Sequence, residues 1–280
     1  MNTLKTVFLM TALTVLVVLL GEWIGGPRGM IVALGIAVVM NSFSYWFSDR
    51  LVLAMYRAQQ VDEVTAPGLF RVVQRLAEKG GMPMPKIYVI PQAAPNAFAT
   101  GRDPAHAAVA VTQGLMQLMD EDELEGVIAH ELSHVRNRDI LIGTIAATLA
   151  GAIMVLAHMA RFAAIFGGGG RDDNRQGNPL ALFLLAILGS VAALLIQMAI
   201  SRSREYQADA SGARLSGNPH GLARALATLH QASARVPLAA SPATAHMFIV
   251  NPFSRRGLTS MFSTHPPIEE RIARLEAMAQ

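Results

Sequence analysis

The chain of 280 residues is 52% hydrophobic and only 15% charged, and its mean hydropathy is +0.36. A soluble domain carries about 25% charged residues, so this composition points to a membrane protein. The net charge of +3 comes from scattered Lys and Arg residues, which argues against a nucleic-acid-binding surface. Cysteine is absent, and this excludes disulfides and every zinc site with a cysteine ligand.

Four long uncharged stretches predict four membrane-spanning helices, because a spanning helix needs about 20 apolar residues. They lie between Lys5 and Glu22, Arg28 and Asp49, Asp139 and Arg161, and Arg175 and Arg202. The first stretch could instead be a secretory signal peptide, but no small-residue cleavage site follows it and a second span comes almost at once. A buried core helix would imitate one such stretch, but hardly four.

Basic residues near the span ends predict the orientation, because they are enriched on the cytoplasmic side. The richer side holds Lys5, Arg50, Arg57, Arg136, Arg138, Arg202 and Arg204, and the other side holds Arg28, Arg161, Arg171 and Arg175. Both termini are therefore expected in the cytoplasm. The predicted organisation is a transmembrane hairpin (1–50), a cytoplasmic part (51–139), a second transmembrane hairpin (140–201) and a cytoplasmic part (202–280).

The first cytoplasmic part predicts a helix followed by a small sheet. Apolar residues recur at helical spacing at Leu69, Val72, Val73 and Leu76. Three β-like runs follow, punctuated by Pro and Gly, at 86–90, 96–100 and 107–112. A short helix at 115–118 comes next. The expected fold class is a mainly α membrane protein (α+β) with four transmembrane helices and a cytoplasmic zincin-like domain containing this sheet.

The motif His130-Glu-Leu-Ser-His134 lies on the next predicted helix, which Asp120 and Glu123 begin as a capping box. Two histidines four residues apart share one helical face, so both imidazoles can reach one metal ion. Zn²⁺ polarises a peptide carbonyl and acidifies water. Glu131 is then the expected general base, taking a proton from the attacking water and passing it to the leaving amine. The alternative is a solvated helix face with two surface histidines.

A third metal ligand must come from farther along the chain, and the candidates are the other histidines and a carboxylate. Asn137 and Ile140 stand where the metzincin extension would require Gly and His. Glu205 and Asp209 are one helical turn apart just past the fourth predicted span, and the second hairpin returns them to the metal helix. Glu205 is the expected ligand, and Asp209 is expected to steady a histidine ring by a hydrogen bond. A solvated acidic face is the alternative.

Three segments resemble the HtpX family of bacterial membrane-bound zinc metalloproteases, which is related to the CAAX prenyl endopeptidases. They are HELSHVRNRD (130–139), SREYQADASGA (203–213) and STHPPIEERI (263–272). The resemblance covers essentially the whole chain, with no departure at the motif positions. It implies one Zn²⁺ per chain held by His130, His134 and Glu205, with Glu131 as base. It also implies a bacterial cytoplasmic (inner) membrane enzyme with a cytoplasmic active site, acting in membrane-protein quality control under stress.

Three further residues match family positions that contact the substrate or the oxyanion. The resemblance implies a catalytic role for His265 and substrate contacts for Asn96 and Arg271, whose side chains can all donate to a carbonyl or oxyanion. Residues 96–100 also suit an exposed sheet edge that pairs with an extended substrate. The alternatives are a turn residue for Asn96, a structural contact for His265 and a surface charge for Arg271.

Two other functions stay open. A non-catalytic membrane adaptor would keep zinc only for folding, although structural sites usually have four protein ligands. A protease for prenylated tails would need an enclosed chamber, for which four spans are few. The expected partners are polypeptide substrates, membrane proteins among them, and the lipid bilayer, without nucleic acid. The remaining histidines are interpreted as ordinary packing or surface residues: His106, His158, His220, His230 and His246.

Overall fold

The computed structural model describes residues 2–145, 202–233, 249 and 266–279. Within these ranges the elements are α1 (Asn2–Met55), β1 (Gln59–Val61), α2 (Pro67–Lys79), β2 (Lys86–Ile90), β3 (Ala97–Gly101), a 3₁₀ turn (Pro104–His106), β4 (Ala107–Thr112), α3 (Gln113–Leu118), α4 (Glu121–Arg136), α5 (Arg202–Ser216), α6 (Pro219–Ser233) and α7 (Ile268–Met278). Residues 140–145 are also helical. The third and fourth predicted spans lie almost entirely outside the described residues.

Helix α1 bends back on itself at Gly26, whose φ of 59° lies in the left-handed region that glycine tolerates. Pro27 follows and begins the second arm. The two arms are joined by a hydrogen bond of 2.8 Å from Asn41 Nδ2 to Thr14 Oγ1. The second arm, Gly26–Met55, is long and apolar enough to cross a membrane, and among the described residues it is the one helix that is. The predicted count of four spans stays a prediction.

The four strands form a mixed sheet in the order β1-β2-β4-β3. Strands β2 and β4 are parallel, whereas β1 and β3 pair antiparallel with their neighbours. The predicted runs at 86–90 and 107–112 coincide with β2 and β4, and the run at 96–100 is shifted by one residue in β3. The pattern analysis did not find β1, which has three residues, two of them glutamine.

The two faces of the sheet pack on different partners. Phe98 of β3 lies on one face and contacts Tyr56 at the end of α1, with ring centroids 5.6 Å apart. Val52 and Leu53 of α1 belong to the same small cluster, together with Ile90, Ala108 and Ala110 of the sheet. The other face carries Ala97 and Ala99 and belongs to the main hydrophobic core, which includes α2, α4, α5 and α6. The sheet therefore separates the apolar helix α1 from the helices that carry the candidate metal ligands.

Strand β3 is at the edge of the sheet, as the sequence predicted, but the prediction that this edge is exposed is wrong. Every residue of β3 is buried. Helical residues 140–145 cover its end, where Thr144 Oγ1 lies 2.9 Å from Thr100 Oγ1. Burial was missed because it depends on what packs against the strand, and the covering residues come from later in the chain.

Candidate metal centre

Helix α4 presents His130, Glu131 and His134 from its C-terminal half. The predicted capping box is present: Asp120 accepts from the Glu123 N–H at 2.8 Å, and the Glu123 carboxylate accepts from the Asp120 N–H at 3.2 Å. The apolar residues Val127, Ile128, Leu132 and Val135 of this helix are buried, and Leu124 is partly buried. His130 itself is only 1% exposed, which contradicts the alternative of a solvated face with surface histidines.

Three potential donor atoms converge where α4 meets α5. The two histidine Nε2 atoms are 3.2 Å apart. Glu205 Oε1 lies 3.6 Å from His134 Nε2, and Glu205 Oε2 lies 3.8 Å from His130 Nε2. Among the described residues, His130, His134 and Glu205 are the one group that could hold a metal ion, with ligand atoms all within 4.8 Å of one another.

These separations fit a tetrahedral ion. With Zn–N and Zn–O distances of about 2.0–2.2 Å, neighbouring ligand atoms in a tetrahedral site stand roughly 3.3–3.5 Å apart. The two histidine Nε2 atoms, 3.2 Å apart, are close to that value, and each lies 3.6 or 3.8 Å from one of the two Glu205 oxygens. The donor set of two imidazoles and one carboxylate also suits Zn²⁺. The residues present therefore fit a bound zinc ion.

Each histidine has a carboxylate at its second ring nitrogen. Asp209 Oδ1 lies 2.9 Å from His130 Nδ1, off the direction of an ideal hydrogen bond. Asp139 Oδ2 lies 3.1 Å from His134 Nδ1 and makes a hydrogen bond with it. The structure thus brings Asp209 to the predicted position beside a histidine ring. Because Asp209 is only 3% exposed, the alternative of a solvated acidic face is wrong for this residue.

Arg271 of α7 is fully buried and binds the Asp209 carboxylate through a bidentate contact. Its Nε donates to Asp209 Oδ2 at 2.8 Å, and its Nη2 donates to Oδ1 at 2.7 Å. Burial raises the pKa of Asp209, but the charge and hydrogen bonds of Arg271 outweigh burial and hold that pKa below its usual value. The surface-charge alternative for Arg271 is wrong. Its predicted substrate contact stays a prediction, and Arg271 Nη1 lies 3.9 Å from Glu205 Oε2.

Glu131 is buried and faces the edge strand. Its Oε2 accepts a hydrogen bond of 2.9 Å from the backbone N–H of Ala99 in β3. Burial raises the pKa of the Glu131 carboxyl above its ordinary value, against the opposing influence of His130 and His134. A carboxylate with a raised pKa is suited to taking up a proton at neutral pH.

The electrostatics at His134 favour a partner of positive charge. Burial lowers the pKa of this imidazole, but the Asp139 hydrogen bond and the charges of Glu205 and Glu131 outweigh burial and raise its pKa to about 9. Several carboxylates thus surround the two rings. A divalent cation would supply the positive charge that these carboxylates attract.

Asn96 and Arg271, the two predicted substrate-contact residues in the described part of the chain, are linked through Ile249. Asn96 Oδ1 accepts from the Ile249 N–H at 3.4 Å, and the Ile249 carbonyl accepts from Arg271 Nη1 at 3.0 Å. Asn96 is 3% exposed and lies immediately before β3. His265, the predicted catalytic residue, lies outside the described residues, so its role stays a prediction.

The sequence reasoning missed two contacts of this centre. Asp139 was noted only as a residue at the start of a span, although it follows His134 by five positions in the same motif. That spacing, just past a helix end, was the available signal. No sequence pattern indicated the contact between the Ala99 N–H and Glu131, because it depends on how the edge strand packs next to α4.

Comparisons with known proteins identify the family of the chain. The model of peptidase family M48 matches residues 63–279. The chain therefore belongs to peptidase family M48 and is a metallopeptidase. Among its relatives, a Protease HtpX homolog from Syntrophotalea carbinolica is 61% identical over 280 residues, covering 99% of each chain. A Protease HtpX homolog from Desulfatibacillum aliphaticivorans is 60% identical over 275 residues, covering 98% of this chain and 89% of the relative.

The fold also resembles that of a solved structure. The crystal structure of S. mikatae Ste24p matches with a TM-score of 0.55 and 20% identity, over 98% of this chain. The present chain spans 65% of the length of that protein, and at this identity the likeness establishes the fold alone. The described residues confirm the prediction of a mainly helical fold with a small mixed sheet, and the family and the relatives confirm the prediction of a metalloprotease.

Proposed function

We propose that this chain is a zinc metalloendopeptidase of the bacterial inner membrane that cleaves damaged or misfolded membrane proteins at the cytoplasmic face. His130, His134 and Glu205 would hold one Zn²⁺. The observation that carries this proposal is the convergence of their three donor atoms within 4.8 Å beside the buried Glu131 carboxylate. When bound, Zn²⁺ would polarise the peptide carbonyl and acidify the attacking water.

Glu131 is the proposed general base. It takes a proton from the attacking water as the new C–O bond forms, and it delivers that proton to the leaving nitrogen as the C–N bond breaks. Its buried position and raised pKa support both transfers. Asn96, His265 and Arg271 are the proposed partners of the substrate carbonyl and oxyanion. The burial of Arg271 against Asp209 favours a role in orienting the site as well.

The edge of β3 is the proposed binding strand for the substrate backbone, and because every residue of β3 is buried in this structure, substrate entry would have to displace what packs on it. The Asn96 carbonyl bonds to Thr112 at the start of the pairing with β4, so the alternating peptide groups of Ala97 and Ala99 face away from β4. An extended substrate could add there as a further strand. The Ala99 N–H is bonded to Glu131 in this structure. Substrate pairing would break that bond and release the carboxylate for proton transfer.

Membrane-protein substrates are supported by the position of β3. Phe98, in the middle of the strand, packs directly on Tyr56 at the end of the apolar helix α1. Arg102, just past the strand, lies over the Trp46 ring of α1 at 4.8 Å. The proposed binding strand thus packs against the end of the apolar helix, and this position supports a substrate that leaves the membrane beside that helix.

The test of catalysis uses the full-length protein in detergent, loaded with Zn²⁺, with casein hydrolysis and self-cleavage as readouts. Glu131→Gln keeps the shape of the side chain and is expected to lower the rate by about 10²–10⁴-fold while retaining one zinc per chain. The exposed Glu121→Gln, on the same helix, is the matched control. Equal rates for the Glu131→Gln and unsubstituted proteins would reject the catalytic assignment and favour a zinc-stabilised adaptor.

Ligand assignment and orientation need separate measurements. Glu205→Gln is expected to lose bound zinc, whereas the exposed Glu270→Gln keeps it; full retention in Glu205→Gln would mean that another residue is the third ligand. To test the orientation, a reporter that is active only in the cytoplasm is fused after Gln280, and it is expected to be active. Absence of activity from the expressed fusion would reverse the proposed orientation.

A further inference from the structure

The two ring nitrogens of His134 face different partners. Its Nε2 faces His130 Nε2 at 3.2 Å and Glu205 Oε1 at 3.6 Å. Its Nδ1 meets Asp139 Oδ2 at 3.1 Å. In the neutral form that binds a metal, the imidazole carries one N–H, and a carboxylate acceptor keeps that hydrogen on Nδ1. The Nε2 lone pair then points toward the other two candidate metal ligands, His130 and Glu205.

The end of helix α4 is built to bring Asp139 back to His134. The helix ends at Arg136, and Arg138 adopts a left-handed φ of 57°. The Asp139 N–H then donates to the His134 carbonyl at 2.9 Å. This turn ends the helix and leaves Asp139 8% exposed. The carboxylate is thereby placed by backbone hydrogen bonds and not by the side chain alone.

Packing after the turn keeps Asp139 in place. The helical residues 140–145 that follow are anchored in the interior by Ile140, Ile142 and Ile145, which are at most 4% exposed. Thr144 in the same segment contacts Thr100 of β3. The joint between α4 and the next helix is therefore fixed on both sides of Asp139.

The second oxygen of Asp139 faces an arginine from α5. Arg204 Nη1 lies 3.9 Å from Asp139 Oδ1, and both side chains are 9% exposed. Arg204 directly precedes Glu205, so α5 supplies one candidate ligand and a charge partner for Asp139 from adjacent positions. His130 is arranged in the same way. Its Nδ1 faces the carboxylate of Asp209, and that carboxylate accepts a hydrogen bond from Arg271.

We infer that Asp139 is a positioning residue of the metal centre, which orients the His134 ring and fixes its tautomer, and that Arg204 holds the Asp139 carboxylate in place. This inference rests on the proposed zinc site. It makes the turn at 137–139 part of the centre, so that the junction between α4 and the following helix sets how firmly the metal is held. Loss of such a partner typically weakens metal affinity by about 10–100-fold.

The test measures the rate at which full-length, zinc-loaded protein in detergent releases Zn²⁺ to a chromogenic chelator. Asp139→Ala is expected to release zinc about 10–100-fold faster than the unsubstituted protein. Asp139→Asn keeps a neutral acceptor and should be intermediate, and Arg204→Met should show a smaller increase in rate. Asp103→Ala is the matched control, because it removes a carboxylate from an exposed histidine, His106, that it contacts at 2.8 Å.

A second readout separates positioning from general destabilisation. In Co²⁺-loaded protein, Asp139→Ala is expected to change the visible absorption bands, which report the geometry of the ligands, while Asp103→Ala leaves them unchanged. If Asp139→Ala does not fold, Asp139→Asn carries both measurements. Release rates within twofold of the unsubstituted protein, together with unchanged Co²⁺ spectra, overturn the inference. Failure of the unsubstituted protein to hold zinc would instead overturn the proposed function, and the inference with it.

Discussion

Gly212 of α5 lies directly against the backbone of His130 in α4. A Cβ atom built on Gly212 would come within 2.9 Å of both the N and the Cα of His130, closer than real contacts allow. Only glycine permits this approach, because any side chain would have to push one helix backbone away from the other. The contact sets the spacing between the helix with the two histidines and the helix with Glu205.

The first prediction follows from that contact. Gly212→Val is expected to displace α5 from α4, to lower stability by about 1–3 kcal/mol through overpacking, and to lower zinc occupancy because Glu205 moves with α5. Metal analysis and the apparent Tm in detergent measure both effects. Gly68→Ala in α2 is the control, since nothing lies within 4 Å of a Cβ there. Full zinc occupancy and an unchanged Tm in Gly212→Val would contradict the prediction.

Arg271→Met is expected to destabilise the protein by about 3–5 kcal/mol, because it leaves the buried Asp209 carboxylate without its charge partner. Arg271→Lys should recover only part of this loss, since an ammonium group cannot reproduce the bidentate contact. Arg274→Met, on the same helix, breaks an exposed pair with Glu270 and should have little effect. The apparent Tm of the three variants, measured side by side, tests this order. An equal Tm for Arg271→Met and Arg274→Met would mean that the buried pair does not stabilise the fold.

Phe98→Ala is expected to separate stability from metal binding. Phe98 is 1% exposed and points to the α1 face of the sheet, so its truncation should cost about 3–5 kcal/mol. The metal ligands lie beyond the other face, and zinc per folded chain should be unchanged. Phe98→Leu is the conservative comparison, with a smaller loss. Zinc loss in folded Phe98→Ala protein would show that the two faces are coupled.

Removal of the metal is expected to lower the apparent Tm, because a ligand bound only by the folded state stabilises it in proportion to ln(1 + [L]/Kd). Without a cation, Glu131, Glu205 and Asp139 surround the two histidines with negative charge. A strong chelator should therefore destabilise the unsubstituted protein, and excess Zn²⁺ should reverse the change. Glu205→Gln should respond much less to either addition. A Tm of the unsubstituted protein that is insensitive to chelator and Zn²⁺ would argue against a metal held by these residues.

Local patterns were enough for the elements that depend on neighbours in the chain. The parallel strands β2 and β4 and the capping box of α4 coincide with their predictions. The pairing of the two histidines could also be predicted from the sequence, since residues i and i+4 lie on one face of any helix. Strand β1 was missed because Gln59-Gln60-Val61 has no apolar alternation, and its pairing with β2 makes it a strand.

The sequence by itself determined that His130, Glu131 and His134 share a helix, and that the chain resembles a membrane metalloprotease. Only the tertiary structure decided which groups complete their surroundings. Asp139 reaches His134 through a left-handed turn at Arg138, and Ala99 reaches Glu131 across the gap between a strand and a helix. Arg271 becomes a buried partner of Asp209, 62 positions earlier in the chain. Spacing records contacts within one helix, whereas the burial and pairing of charged groups depend on which distant segments exclude water around them.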